Sequence, residues 1–264
     1  MANDSVSKTL IVIFTLCVLC SVVVSTAAVM LRPLQEQNRL AELNASIRQV
    51  AGLPRSDDGD AEAGAVVEAR IVELASGEYV GEPEIAGFDM VNSARDPKLS
   101  TALAPGDDIA RIQRLPRFAK IYLLKRGDQL DKIVLPLYGY GLWSTLYGFI
   151  ALEADANTVY GLQFYRHGET PGLGGRVDDL AWRALWRGKR VYESGVGAPV
   201  LDVVKGRVGA ADSRARYKVD GLSGATITSH GVGNMIRFWF GERGYRRFLV
   251  KNWPQQAGAE PGRG

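Results

Sequence analysis

Asp220-Gly221-Leu222-Ser223-Gly224-Ala225-Thr226-Ile227-Thr228-Ser229 packs one acid, two glycines and four hydroxyls into ten residues. Just before it, Arg216–Val219 reads as a short strand. From Ser229 onward the chain reads as a helix, with Val232, Met235, Ile236, Trp239 and Phe240 on one face at i, i+3, i+4, i+7 and i+8. A strand, a Gly-rich turn and a helix therefore follow one another. The first N–H groups of a helix lack intrahelical partners, and a hydroxyl-rich turn adds donors, so such a place suits a phosphate. It suits an ordinary N-cap equally well, and the residues alone leave both readings open. The pattern is neither G-x-G-x-x-G nor G-x-x-x-x-G-K-[ST], and no lysine stands ready for a triphosphate.

Upstream, Ile121–Leu124 and Lys132–Leu137 read as strands separated by Lys125-Arg126-Gly127-Asp128. Leu146–Glu153 and Thr158–Tyr165 read as two more, joined through Ala154-Asp155-Ala156-Asn157. Val66–Leu74 and Val200–Val204 are shorter strand candidates, and Asp179–Trp186 reads as a helix ending at Gly188. Residues 65–115 carry little other pattern beyond the turn at Ala104-Pro105-Gly106-Asp107-Asp108. This mixture predicts an α+β domain over residues 65–253 with a largely antiparallel sheet.

The N-terminus is of another kind. After a short tail, residues 1–8, no charge occurs from Thr9 to Leu31. A helix there spans about 35 Å at ~1.5 Å per residue, enough for a hydrocarbon core of ~30 Å. Ser25-Thr26-Ala27-Ala28 is small enough for a signal peptidase, but the apolar run exceeds a signal h-region of roughly 7–15 residues, so a transmembrane helix over 9–31 is expected. Flanking Lys8 and Arg32 fix its orientation only weakly. Residues 32–64 read as an amphipathic stalk, Pro33–Leu53, and an acidic linker, Arg55–Gly64; residues 254–264 read as a disordered tail. Both cysteines, Cys17 and Cys20, fall inside the apolar span and read as small apolar side chains, which leaves the domain without cysteine-ligated clusters or disulfides.

With 46% apolar and 23% charged residues the chain has material for a core. A net charge of +3 gives no ground for a nucleic-acid partner. His167 and His230 lack a partner set for a metal and read as exposed turn residues. No G-x-S-x-G nucleophile motif occurs. Arg243, Arg246, Arg247 and Lys251 form a basic run that reads as a solvated face.

The 220–229 segment resembles, nearly letter for letter, the D-x-x-[ST]-G-A-T-x-[ST] flavin-attachment motif of the FMN-binding domain family. The resemblance implies FMN held covalently through a phosphoester bond to Thr228. Asp220 matches the acid associated in that family with the transferase reaction, and Ser223, Gly224, Ala225 and Thr226 match the centre that would hold the phosphate. Chemistry alone leaves Ser229 a rival acceptor; only motif spacing demotes it.

Three further stretches, Gly139-Tyr140-Gly141-Leu142-Trp143-Ser144-Thr145-Leu146-Tyr147-Gly148, Glu169-Thr170-Pro171-Gly172-Leu173-Gly174-Gly175 and Trp182–Lys189, resemble the C subunit of the sodium-translocating NADH:quinone oxidoreductases. That resemblance covers the anchor and most of residues 120–253. It implies a single-pass component of a bacterial inner-membrane complex with its domain in the periplasm, seated in lipid beside the A, B, D, E and F subunits and matured by a flavin transferase. The FMN would relay electrons between a membrane iron–sulfur centre and the FMN of the B subunit. No side chain need act as an acid–base catalyst in that relay, and the NADH site would lie elsewhere in the complex, so this chain alone is not expected to oxidise NADH. Trp143 is expected either beside the isoalloxazine or in the core; Thr170, Gly172 and Leu173 are expected at the flavin's polar edge, or as plain turn residues. Rnf-type flavoproteins share the flavin motif and are the alternative within the same chemistry. A non-redox membrane-tethered binding module, whose hydroxyl-rich turn only caps a helix, is the alternative from another class.

Overall fold

A computed structural model describes residues 6–54, 65–81 and 88–253 and falls into two units with the break between Asn44 and Ala45. The expected acidic linker at 55–64, the tail at 254–264 and residues 1–5 lie outside the described residues. Helix α1, Val6–Val50, is continuous through Pro33, so no break separates the expected span from the expected stalk. Proline removes a single i→i−4 hydrogen bond, and the leucines and long polar residues on either side carry the helix past it. Its apolar stretch is long enough to cross a membrane. Only the C-terminal end of α1 from Ala45 on, with Ser46, Ile47, Arg48 and Val50 buried, belongs to the second unit. There Gln163 donates to Ser46 Oγ (3.4 Å) and to Gln49 Oε1 (3.1 Å).

The second unit is built on a six-stranded antiparallel sheet. Its strands are β1 (Ala65–Glu73), β2 (Glu78–Val80), β5 (Phe118–Arg126), β6 (Gln129–Tyr140), β7 (Thr145–Glu153) and β8 (Val159–Arg166), in the order β2-β1-β5-β6-β7-β8. Between β2 and β5 lie a short helix, α2 (Met90–Ser93), and a separate hairpin of β3 (Ser100–Ala102) and β4 (Arg114–Pro116). The stretch around residues 65–115, nearly featureless in sequence, thus supplies a full strand paired along β5 from Ala65↔Arg126 to Glu73↔Phe118. The β5–β6 turn has Gly127 at φ 59° as its first central residue, the position a two-residue hairpin reserves for glycine.

One face of the sheet packs under the helices. Ile121, Ile133, Leu135, Leu137, Leu146 and Ile150 form one core with Val232, Met235, Ile236, Trp239 and Phe240 of α4 (Thr226–Trp239) and the residue after it. The remaining elements are α3 (Leu180–Ala184), shorter than the predicted 179–186 helix; a two-stranded parallel pair of β9 (Asp202–Val203) and β10 (Lys218–Val219); and α5 (Arg246–Asn252).

Strand β5 pairs with β6 only as far as Tyr122↔Val134, whereas β7 follows β6 to Tyr140↔Thr145. Beyond Val134, one edge of β6 would expose its backbone, and buried backbone polar groups need partners. Tyr245 Oη donates to Pro136 O (2.6 Å), Trp239 Nε1 to Tyr138 O (2.7 Å) and the Tyr140 amide to Ala110 O (2.9 Å). Two of these partners come from α4 and the segment following it, so the helix is fastened to the far half of β6. At its near end a Cβ on Gly231 would lie 2.5 Å from Tyr140 O. Glycine there costs about 1 kcal/mol of helix propensity relative to alanine and lets α4 close on the end of β6, where the 141–144 loop begins.

Candidate functional site

Helix α4 begins at Thr226, three residues before the predicted Ser229, so Thr228 lies in its first turn and not in the turn ahead of it. Leu222–Ala225 forms that turn: the Ala225 amide donates to Leu222 O (3.0 Å) and Gly224 takes φ 78°, as the third position of a type II turn requires. The N-cap position is Ala225, which has no side-chain oxygen, and no side chain caps the helix. The first-turn amides of α4 are thus left to an external acceptor, with the positive end of the helix dipole behind them. Ser223, Gly224 and Thr226 are exposed around this end, while Ala225 is buried.

Thr228 itself is fully buried and donates through Oγ1 to Glu169 Oε2 (2.6 Å). Glu169 is 5% exposed and also takes the amides of Trp143 (2.9 Å), Ser144 (3.1 Å) and Leu142 (3.2 Å) on Oε1. All four of these donors are neutral. Burial pushes the carboxyl pKa up, but the Thr228 hydroxyl and then the amides of Trp143, Ser144 and Leu142 outweigh it and hold it below the ordinary glutamate range. Glu169 is therefore ionised at neutral pH.

Two loops close around this carboxylate. The four residues between β6 and β7 are tied to the β8 exit by the Gly168 amide, which donates to Ser144 Oγ (2.6 Å). His167 Nδ1 accepts from the Glu169 amide (3.2 Å), which leaves Nε2 to carry the proton shared with Asp178 (2.9 Å). His167 is thus a brace with a side chain 13% exposed, contrary to its reading as an exposed turn residue. Past Glu169, Thr170 O accepts from the amides of Leu173 (3.1 Å) and Gly175 (2.9 Å), and Pro171-Gly172, with Gly172 at φ 76°, makes the intervening turn. A Cβ on Gly174 would lie 2.6 Å from both Glu169 Oε2 and Thr228 Oγ1.

The predicted residues therefore divide. Trp143 is 66% exposed, which removes the core reading. With Leu142, Leu173 and Ile227, also exposed, it gives an apolar rim on the segments that hold Glu169 and Thr228. Leu173 leans on the turn, since a Cβ on Gly224 would meet its Cδ2 at 3.1 Å. Thr170 and Gly172 are exposed turn residues of the loop that carries Glu169. Asp220 is a brace: Oδ1 accepts from the Val208 amide (2.9 Å) and its carbonyl from Trp182 Nε1 (2.8 Å). Its hydrogen bonds fix the approach to the turn and do not reach Thr228. Ser229 Oγ donates to Ala225 O (3.0 Å) and accepts from the Leu222 amide (2.9 Å), so the rival hydroxyl is already committed to backbone. Glu169 and Gly174 were not singled out by sequence reasoning. The glycines around them signal a tight loop, but nothing local marks the carboxylate as buried.

Residues 141–241, which span all three of these segments, match the FMN-binding domain family. The chain is 45% identical over 255 residues to the C subunit of the Na(+)-translocating NADH-quinone reductase of Pseudomonas aeruginosa, covering 95% of this chain and 97% of the relative. Against the corresponding protein of Yersinia pestis it is 45% identical over 254 residues, covering 94% of each. The crystal structure of Shewanella oneidensis NqrC superposes with a TM-score of 0.71 at 33% identity, covering 80% of this chain and 95% of that one. The crystal structure of the C subunit from Parabacteroides distasonis superposes with a TM-score of 0.62 at 30% identity, covering 83% and 97%. A flavin-domain match laid over this site, and relatives alike along almost the whole chain, establish that the protein belongs to the NqrC family, the C subunits of the Na(+)-translocating NADH-quinone reductases.

Proposed function

We propose that this chain carries FMN on Thr228 through a phosphoester bond and relays electrons within a sodium-pumping NADH–quinone reductase of the bacterial inner membrane. The observation that carries the reading is a helix N-terminus of unspent amides, capped by alanine, with a threonine hydroxyl in its first turn. These donors fit a phosphate. Ser223 and Thr226 add exposed hydroxyls, and Trp143, Leu142, Leu173 and Ile227 offer apolar surface to a flat ring. Bound FMN would supply the electron-transfer chemistry; the protein's part is to hold it, orient it and set its surroundings. The family implies that a flavin transferase makes the attachment. The rest of the assignment takes α1 as the anchor, a reading its apolar length supports, and takes from the family resemblance a domain in the periplasm and the A, B, D, E and F subunits as partners.

Denaturing mass spectrometry of the chain from cells that hold the transferase tests this. One FMN less water should be added to the wild type and be absent from Thr228→Ala. A bare wild-type mass, or an adduct that survives in Thr228→Ala, would sink the reading.

A further inference from the structure

We propose that Glu169 is the catalytic base of flavin attachment, taking the Thr228 hydroxyl proton as Oγ1 bonds to the flavin phosphorus. The proposal rests on the reading of Thr228 as the attachment residue. A threonine hydroxyl is a weak nucleophile and needs a base within hydrogen-bond reach, the base in turn oriented by further groups. Glu169 Oε2 is 2.6 Å from Oγ1 with the hydroxyl already donating to it. The other carboxylate oxygen is fixed by the Leu142, Trp143 and Ser144 amides, so the base is aimed before any substrate arrives. No cation competes for it among these partners, and its lowered pKa keeps it in the proton-accepting form at neutral pH. Ser229, one residue on, has nothing of the kind: its proton goes to a backbone carbonyl. The geometry thus also selects which of the two adjacent hydroxyls reacts.

The donor is a flavin phosphoanhydride, such as flavin adenine dinucleotide. The Oγ1–P bond forms, the anhydride P–O bond breaks, and the nucleotide phosphate leaves with the bonding electron pair. The proton moves from Oγ1 to Oε2, and nothing is oxidised or reduced. The product is a phosphodiester with one negative charge beside Glu169. Protonation of Glu169 in the same step removes the charge that would otherwise repel it, and turns the carboxyl into a donor.

The test uses the full chain with the flavin transferase and flavin adenine dinucleotide, following covalent flavin by intact mass against time. Wild type should gain one flavin and Thr228→Ala none; failure of either overturns the attachment reading, and the base with it. Given that result, Glu169→Gln keeps the side-chain shape and an acceptor for the three amides but cannot take the proton. Its initial rate should fall by about 10²-fold, with Glu169→Asp in between. Gly174→Ala puts a methyl between Oε2 and Oγ1 and should slow attachment as well. Attachment at the wild-type rate in Glu169→Gln would overturn the proposal and place the base on the transferase. Should Glu169→Gln not fold, Glu169→Asp and Gly174→Ala decide: slowed attachment by folded protein supports the proposal, and wild-type rates in both refute it.

Discussion

Replacing Glu169 with alanine removes the one group that both loops and the first turn of α4 share, and the cost can be worked from its contacts. A hydrogen bond to a charged group is worth roughly 1.5–3 kcal/mol, and Glu169 accepts four. Leu142 and Trp143 are exposed enough for water to take over their amides, which leaves the Thr228 hydroxyl and the Ser144 amide to feel the loss in full. Relief from burying a carboxylate returns part of it, so the net loss should be roughly 2–4 kcal/mol. For a domain of this size each kcal/mol lowers the melting temperature by roughly 2–4 °C, which gives a fall of roughly 4–16 °C. Denaturant unfolding of the detergent-solubilised chain, followed by tryptophan fluorescence, reads the domain alone, because the first of the five tryptophans is Trp143. A loss below about 0.5 kcal/mol would refute the reasoning, since surface substitutions commonly stay within that range.

Two further outcomes follow from the same structure. The folded pKa of Glu169 lies below its ordinary value, so its stabilisation is complete above about pH 4.3 and is lost as pH falls through the lower folded value. The stability difference between wild type and Glu169→Gln should therefore be flat from about pH 8 to 6 and shrink only in acid; a difference that grew on acidification would contradict the assignment. Trp239→Phe should cost about 2–4 kcal/mol in the same unfolding assay, through the lost volume and an orphaned Tyr138 carbonyl at the β6 edge; a loss under about 1 kcal/mol would mean that this edge is satisfied in another way.

Where the sequence had a clear period, the fold was legible. The strands of β5 to β8 alternate or run apolar between Gly- or Asp-bearing turns; all four are present, with β7 and β8 within one residue of the reading and β5 and β6 about twice as long as read. Helix α4 announced itself through Val232, Met235, Ile236 and Trp239. Its start was misplaced because the usual signal, a capping side chain, is missing: Ala225 sits where Ser, Thr, Asp or Asn would mark a boundary. Strand β1 was hard to read in full because only Ala65, Ile71 and Val72 of its residues are buried. Its exposed and half-buried positions carry Glu68, Arg70 and Glu73 beside Val66, so the alternation blurs.

The site was legible in part, for a different reason. Thr228 and Ser229 are neighbours in sequence and each offers a hydroxyl; what separates them in the structure is where each hydroxyl's proton goes, and for Thr228 that is a carboxylate 59 positions away. Nothing periodic links Glu169 to Thr228. Their meeting rests on steric room at Gly141, Gly174 and Gly231, none of which has a positive φ. A Cβ on Gly141 would lie 2.7 Å from Glu169 Oε1, one on Gly174 would strike both Glu169 and Thr228, and one on Gly231 would hold α4 off the end of β6. In sequence a glycine is read first as a turn. These three are present because a side chain would occupy the space in which the carboxylate and the hydroxyl meet. The uncapped α4 terminus fits the same economy: a Ser or Thr at position 225 would spend the first-turn amides on its own oxygen, and those amides are the donors that an incoming phosphate needs.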